Sequence, residues 1–345
     1  MSLTLGIETS CDDTGVAILE GGRTVLVELL SSQIKDHARF GGVVPEFAAR
    51  RHLETLLPLV DTALHEVDIR GPDLGLIAVT YGPGLMGSLL VGLQTARALS
   101  QTWGVPLIGV DHIEGHLFAP LIDDPDLAPP FLSLIVSGGH TEIVRVDALG
   151  RYELLGETRD DAAGEAYDKV AKILGLPYPG GPEIDRLAQS GDPRAFNLPI
   201  PLAHTKAIEF SFSGLKTAVL WQVRRLQEQG TDELPLADLC ASFQRAVTEA
   251  LIAKVGLAVR MTGIRTVTAS GGVAANTALR EALMHPKEAR RWRAFVPRPA
   301  RCTDNAVMIA MAGRDAWERG ERSPADLSPD PSLTLGRTSA ASPAP

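Results

Sequence analysis

Aromatic residues are scarce, at 5% of 345 positions, and a chain so poor in them is a weak stacking platform for single-stranded nucleic acid. Cysteine is scarcer still. Cys11, Cys240 and Cys302 are odd in number and far apart, which argues against a disulfide framework or a thiolate metal site and places the chain in a reducing cytoplasm. Positive charge is in deficit, with Lys+Arg 33 against Asp+Glu 42 and a net charge of −9. Bulk attraction therefore cannot hold nucleic acid, and such a partner would have to meet a local basic patch or a basic helper subunit. The start, Met1 to Gly6, lacks the basic and apolar regions of a signal peptide. One uncharged run, Leu74 to Ala96, is long enough to span a bilayer, but Gly82, Pro83, Gly84 and Gly87 break its middle. It reads as a buried strand, a tight turn and a buried helix, with no membrane partner. The 45% hydrophobic and 22% charged residues exclude wholesale disorder, and the length suits about two domains.

What is present is an internal echo. Leu3–Glu8, Gly15–Leu19 and Thr24–Ser31 read as three strands joined by tight turns, followed by a helix over Glu46–Val67, a strand Leu76–Thr80, a helix Met86–Trp103 and a strand Pro106–Val110. About 130 residues on, the plan returns as strands Phe131–Val136, Thr141–Val146 and Arg151–Thr158. Helical stretches at Asp161–Leu174 and Glu183–Ser190, a longer insertion, a helix Leu236–Met261, a strand Arg265–Ser270, a helix Ala275–Met284 and a strand Trp292–Val296 complete the second half. Hairpin strands followed by alternating helices and strands are the order of a ribonuclease H-like lobe. The expected class is α/β, with two such lobes in tandem and a central cleft that the turns Thr9–Thr14 and Ser137–His140 face. Residues 1–127 form the first lobe, joined by a returning C-terminal helix over 304–320, and residues 128–303 form the second. Residues 321–345, rich in Ser, Pro and Ala, read as a flexible tail.

Several motifs carry chemistry. Gly82-Pro83-Gly84-Leu85-Met86-Gly87 fits a dinucleotide fingerprint, but no acidic residue follows at the ribose spacing, so tight helix–strand packing is the better reading. Ser137-Gly138-Gly139-His140-Thr141 and Ser270-Gly271-Gly272-Val273 put paired glycines at strand ends, where bare backbone can approach a phosphate; each alone reads equally as a plain turn. Thr9 to Thr14 crowds hydroxyls and carboxylates into one turn, and Asp12 and Asp13 repel each other unless a cation is near. Asp168, one turn inside an acidic helix start, needs a reason beyond the helix dipole. Phe210 to Lys216 either closes over a ligand or is a strand. Lys287, Arg290, Arg291, Arg293, Arg298 and Arg301 cluster, and Arg50 and Arg51 form a smaller pair; such a patch is either a phosphate-backbone site or a solvated face.

The sharpest signal is His112-Ile113-Glu114-Gly115-His116. Four apart on a helix, the two imidazoles share a face and can hold one metal. Glu114 sits about 200° round that helix from His112 and points away, so the metalloprotease pattern, with its glutamate directly after the first histidine, is not met. A third ligand should be a hard acid, and Asp304 supplies it if the last helix crosses back to the first lobe; otherwise Thr303 or Asp304 caps that helix. Two histidines and one carboxylate suit Fe(2+), with Zn(2+) next.

Five motifs taken in order resemble the TsaD family of bacterial tRNA adenosine threonylcarbamoyltransferases, formerly called glycoprotein endopeptidases. They are Gly6 to Asp12, His112 to His116, Ser137 to Thr141, Ser270 to Asn276 and Thr303 to Ala306, and the likeness runs from Leu3 to about Arg319. The resemblance implies the fold superfamily of actin, sugar kinases and Hsp70. It implies transfer of a threonylcarbamoyl group from threonylcarbamoyl-adenylate to the exocyclic amine of the adenosine beside the anticodon, in tRNAs that read codons beginning with A, with release of AMP. It implies His112, His116 and Asp304 as iron ligands, and Ile135, Val136, Ser137, Gly138, Gly139, Asp168, Gly181, Asp185 and Asn276 as substrate contacts. A TsaB-like paralogue and a TsaE-like ATPase are the implied partners. Asp13 stands where the family commonly has glutamate. Asp12 is the candidate for orienting or deprotonating the acceptor amine. The competing reading is a small-molecule kinase of the same superfamily, which would need Mg²⁺ on carboxylates and no histidine pair.

Overall fold

The computed structural model describes residues 2–202, 204–231, 233–286 and 292–336. Its elements in chain order begin with β1 (Leu3–Glu8), β2 (Asp13–Glu20), β3 (Thr24–Ser32), α1 (Ile34–Ala38) and α2 (Pro45–Val67). β4 (Leu76–Gly82), α3 (Met86–Trp103), β5 (Leu107–Asp111) and α4 (His112–Asp123) follow. Then come β6 (Phe131–Val136), β7 (Thr141–Ala148), β8 (Arg151–Glu157), α5 (Ala163–Ile173), α6 (Gly180–Ala188), α7 (Ser213–Glu228) and α8 (Leu236–Thr262). β9 (Thr266–Ser270), α9 (Thr277–Met284), β10 (Arg293–Phe295), α10 (Pro299–Cys302) and α11 (Ala306–Glu318) end the chain. The uncharged run resolves into β4, a turn and α3, and among the described residues no helix is long and apolar enough to cross a membrane.

The chain divides into two compact units. The first holds Met1–Pro125, Leu149–Arg151 and Asp304–Pro345; the second holds Asp126–Ala148 and Tyr152–Thr303. The first sheet runs β3-β2-β1-β4-β5 and the second β8-β7-β6-β9-β10. In each, the leading strand pairs antiparallel with the next and parallel with the fourth, so the echo in sequence is a repeat in topology. Leu5, Ile7, Val16, Ile18, Ile77 and Val79 bury the core of the first sheet, and Leu132, Leu134, Val136 and Ile143 that of the second.

Glycine decides where the last helix lies. A Cβ on Gly6 of β1 would collide with the Ala306 carbonyl and with Ala310, and one on Gly115 of α4 would press on Ile309 and Met308. Both omissions let α11 lie directly on β1 and α4, which carries Asp304, two residues before the helix, to the head of α4.

Two expectations are corrected. Residues 321–336 are not a loose tail. Leu327 is buried in the first unit's core. Ser323 Oγ accepts from the Gly109 amide at 2.8 Å, Asp330 N donates to Tyr81 O at 2.8 Å, and Arg97 donates to the Leu327 carbonyl. Composition suggests disorder, but one leucine and a run of backbone partners suffice to tie a short strap down. Residues 337–345 lie outside the described part. The segment from Phe210 to Lys216 is not a full strand: Phe210 makes one isolated bridge to Thr158, and α7 begins at Ser213.

Candidate functional site

The histidine pair sits at the end of β5. Asp111 caps α4, its Oδ1 accepting from the Ile113 amide at 2.7 Å and the Glu114 amide at 3.3 Å. His112 and His116 follow on one face with ring centroids 4.7 Å apart, and both are buried. Asn305, not Asp304, caps α11, accepting from the Met308 amide at 3.0 Å. Asp304 instead reaches the imidazoles: its Oδ1 is 3.4 Å from His112 Nε2 and 3.2 Å from His116 Nε2. One ligand atom from each of the three lies within 4.8 Å of the others. Glu114 turns away toward Arg319, 3.4 Å distant, so the histidines have no protease-type glutamate beside them.

Groups behind the histidines orient them. Glu8, wholly buried at the end of β1, places Oε2 at 3.1 Å from His112 Nδ1, with Ser10 Oγ also at 3.1 Å. The Ser10 amide and the Thr80 hydroxyl donate to the Glu8 carboxylate. A carboxylate on Nδ1 fixes the tautomer that offers Nε2 as ligand. In sequence Glu8 is only one letter of a motif; the signal that marks it is a carboxylate closing an otherwise apolar strand, where nothing but a cationic partner justifies a buried charge.

The charges balance as a cluster. Burial pushes the Glu8 and Asp304 carboxyls up, but the His112 imidazolium outweighs it, and both sit below the usual carboxylate range, Asp304 well below. Burial opposes charge on His112 as well, yet Asp304 and Glu8 raise it well above the ordinary histidine value. His116 goes the other way: burial dominates and holds it low, so it is the neutral imidazole that ligation requires. Neither of its ring nitrogens has a hydrogen-bond partner among the described residues. At 3.2 Å the Asp304 oxygen is within ion-pair range of Nε2 but is not aligned as a hydrogen bond. A buried imidazole left unsatisfied costs about 1–3 kcal/mol, and a cation shared with Asp304 would use that lone pair. The donor set of two imidazoles and one carboxylate fits a transition-metal ion.

The turn beside this cluster is held rigidly. Leu85 N donates to Ser10 O at 2.8 Å, Ser88 Oγ to Cys11 O at 3.0 Å, and His52 Nε2 lies 3.0 Å from the same oxygen. A Cβ on Gly84 would strike Ser10 O, so the Gly82 to Gly87 motif serves packing. Asp12 is half-buried there. Asp13 is pushed up to about 7, chiefly by burial, with the charges of Asp12, Asp304 and Glu8 adding and a hydrogen bond from Ser32 opposing.

The remaining candidates all lie in the second unit. Ile135 and Val136 are fully buried in β6, so only their backbone can meet a ligand. Ser137 Oγ accepts from the Gly139 amide at 3.3 Å and the His140 amide at 3.0 Å, and Ser137 O accepts from Gly164 N at 3.1 Å, which seats the head of α5 on this turn. Gly138, Gly139 and Gly181 have open space where a side chain would stand. Asp168 Oδ1 accepts from Gly180 N at 2.7 Å, tying α5 to the head of α6. Asp185 accepts from Asn276 Nδ2 at 3.1 Å and from the Thr277 hydroxyl at 2.6 Å, while Asn276 Nδ2 also donates to Gln244 at 2.7 Å. Gly271, at φ +90° and against Val136 O, joins the ends of β9 and β6. Gln244, which no motif marks, completes this network. Of the basic residues, Arg50 and Arg51 pair with Glu46, Asp36 and Glu54, Arg293 stacks on Phe295 and Arg301 is buried. Lys287, Arg290 and Arg291 lie outside the described residues.

Two mixed five-stranded sheets of one repeated order, with the cluster at the head of α4, define an α/β protein of the actin, sugar kinase and Hsp70 class. Solved structures agree on the fold. Full-length HypF in its phosphate- and nucleotide-bound form has a TM-score of 0.62 at 14% identity, over 93% of this chain and 56% of that one. Component A of the Acidaminococcus fermentans (R)-2-hydroxyglutaryl-CoA dehydratase has a TM-score of 0.55 at 17% identity, over 91% and 98%. The family model "TsaD: tRNA N6-adenosine threonylcarbamoyltransferase" matches residues 24–311. Curated relatives of that description include one from Anaeromyxobacter sp. (strain Fw109-5), 52% identical over 96% of this chain and 99% of its own, and one from Geobacter metallireducens, 51% identical over 92% and 93%. The chain belongs to the TsaD family. It is a transferase that modifies adenosine in tRNA, and the kinase alternative falls.

Proposed function

We propose that the chain transfers threonylcarbamoyl from threonylcarbamoyl-adenylate to N6 of the adenosine beside the anticodon, in tRNAs that read codons beginning with A, and that AMP leaves. The observation that carries this reading is the convergence of His112, His116 and Asp304 around an unsatisfied imidazole. Fe(2+) is the ion of choice for this donor set, with Zn(2+) next. When bound, it supplies Lewis-acid stabilisation of negative charge on a donor oxygen.

The chain's own groups do the rest. Glu8 holds the proton on His112 Nδ1 and so keeps Nε2 directed at the ion site. The donor is an acyl phosphate mixed anhydride, so its leaving group is already good. The acceptor amine is weak because its lone pair is delocalised into the adenine ring. Asp12, in a turn pinned by Leu85, Ser88 and His52, orients that amine and accepts its proton. In the second unit the open backbone at Ser137, Gly138, Gly139 and Gly181 takes the adenylate phosphate, Ile135 and Val136 contribute through backbone alone, and Asp168, Asp185 and Asn276 hold the nucleoside side. An unpaired anticodon-loop base is splayed out at modest cost.

The partners in this reading are a TsaB-like paralogue and a TsaE-like ATPase, working in the cytoplasm, where tRNA and adenylates are found. A net charge of −9 supports dependence on other subunits for tRNA capture. So do Leu53 and Leu57 of α2 and Met86 and Leu90 of α3, each pair four residues apart on two helices that pack together, at 66%, 54%, 53% and 44% exposure. An aliphatic face of that kind is a protein-docking surface. The test is a transfer assay with labelled adenylate, tRNA and both partners. Asp304→Ala should lose bound metal and about 100-fold or more in rate, the several kcal/mol a metal's Lewis acidity supplies. Equal product from the variant and the parent would overturn the reading.

A further inference from the structure

Helix α7 is a second surface with a chemistry of its own. Its buried face is Leu215, Val219 and Val223. Its exposed positions are Gly214, Thr217, Trp221, Arg224, Arg225, Gln227 and Glu228. Trp221 is 63% exposed in a chain with only four tryptophans, and the Arg224 guanidinium lies 5.5 Å over its ring. The helix carries Lys216, Arg224 and Arg225 against the single carboxylate Glu228, a local excess of positive charge on a protein whose net charge is −9. None of these exposed positions is aliphatic, in contrast to the α2 and α3 face, where leucine and methionine are exposed.

The helix is also anchored to the unit's glycine turn. Asp160 accepts from the Ser211 hydroxyl at 2.6 Å and from the Phe212 and Ser213 amides at 2.8 and 3.2 Å, fixing the start of α7. Asp161 holds Lys216 at 2.9 Å and Lys169 of α5 at 2.8 Å. Three residues past Asp161, Gly164 N bonds Ser137 O at 3.1 Å. The exposed stripe is thus braced against the helix that seats the Ser137–Gly139 turn.

We propose that the stripe centred on Trp221 and Arg224 is a landing surface for an unpaired stretch of the substrate tRNA, an inference that rests on the tRNA-modifying role given above. A base stacks on the Trp221 ring, and Arg224 and Arg225 take the flanking phosphates. The stripe has what single-stranded RNA requires, a π-face beside cations, and lacks the aliphatic centre of a protein interface. The scarcity of aromatics in the whole chain is no obstacle, because one exposed ring serves one base.

The test is steady-state transfer by the complete multi-subunit system with Trp221→Ala, Trp221→Phe and the double variant Arg224→Glu/Arg225→Glu, read at two salt concentrations. Trp221→Ala should raise KM for tRNA about 5- to 150-fold, the range for removal of one stacked base, with kcat at saturating tRNA unchanged and Trp221→Phe restoring most of the affinity. The charge reversal should raise KM for tRNA and flatten its logarithmic salt dependence by roughly 0.7 for each phosphate no longer neutralised. All three side chains are exposed, so thermal midpoints should match the parent; if one variant fails to fold, the other carries the test. Parental KM for tRNA in every folded variant would overturn the proposal, as would a defect that vanishes on raising the partner subunits, which would make the stripe a protein-docking face.

Discussion

Glu8 and Asp13 lie one short turn apart and respond to the same cluster in opposite ways. Glu8 is ionised because His112 faces it; Asp13 is pushed up to about 7 because burial and like charges surround it. Glu8→Gln should preserve the fold and lower metal affinity about 10- to 100-fold, the usual cost of removing the carboxylate behind a ligating histidine; equilibrium metal titration reads it. For Asp13 the folded pKa exceeds the unfolded value of 3.8, so the folded state binds the proton more tightly. Its contribution is complete below about pH 4 and is lost as pH rises toward 7. Asp13→Asn should therefore flatten the decline in stability between those limits, gaining at most about 4 kcal/mol above pH 7. Denaturant unfolding of parent and variant at pH 5 and pH 8 measures the difference, and identical pH profiles would refute it. Residue types and spacing are enough to nominate His112, His116 and Asp304, since an i,i+4 pair shares a face by helix geometry alone. They cannot nominate Gln244 or the role of Glu8, whose partners stand 32 and 104 positions away in sequence.

Among the elements, the hairpin strands and α2, α3 and α8 follow directly from apolar periodicity. α7 does not. Its run of Thr217, Val219, Trp221 and Val223 is rich in residues of modest helix propensity, and what stabilises the helix is Asp160, which accepts from the Phe212 amide 52 positions further on. The strap over 321–336 is the other element that composition misreads. Ending the chain at Arg322 should uncover the Leu327 site and leave the Gly109 amide and Tyr81 carbonyl without their partners. The expected cost is about 2–4 kcal/mol, from one buried leucine and two backbone hydrogen bonds, seen as a lower thermal midpoint. An unchanged midpoint would show the strap to be dispensable. Gly115→Leu should have the larger effect, because its side chain would separate α4 from α11 and so part the histidines from Asp304; metal content should fall with stability.

For the molecule as a whole, the repeat of five strands is legible because each half announces itself with the same hairpins, whereas how each unit is closed off is not. Removal of metal with a chelator should lower the thermal midpoint of the parent and leave that of Asp304→Ala untouched. The stabilisation removed depends on occupancy, about 2.7 kcal/mol for an ion held at 100 times its dissociation constant. Equal midpoints with and without chelator would refute ligation.

The first unit is finished by the helix that follows Asp304, 188 positions after His116. During synthesis, β1 to α4 leave the ribosome before the second unit is translated, and the carboxylate that faces their two imidazoles comes only after it. Under the proposed ligation, a truncated product that stops short of Asp304 lacks the carboxylate of the donor set, so metal content would report whether the chain extends past that aspartate.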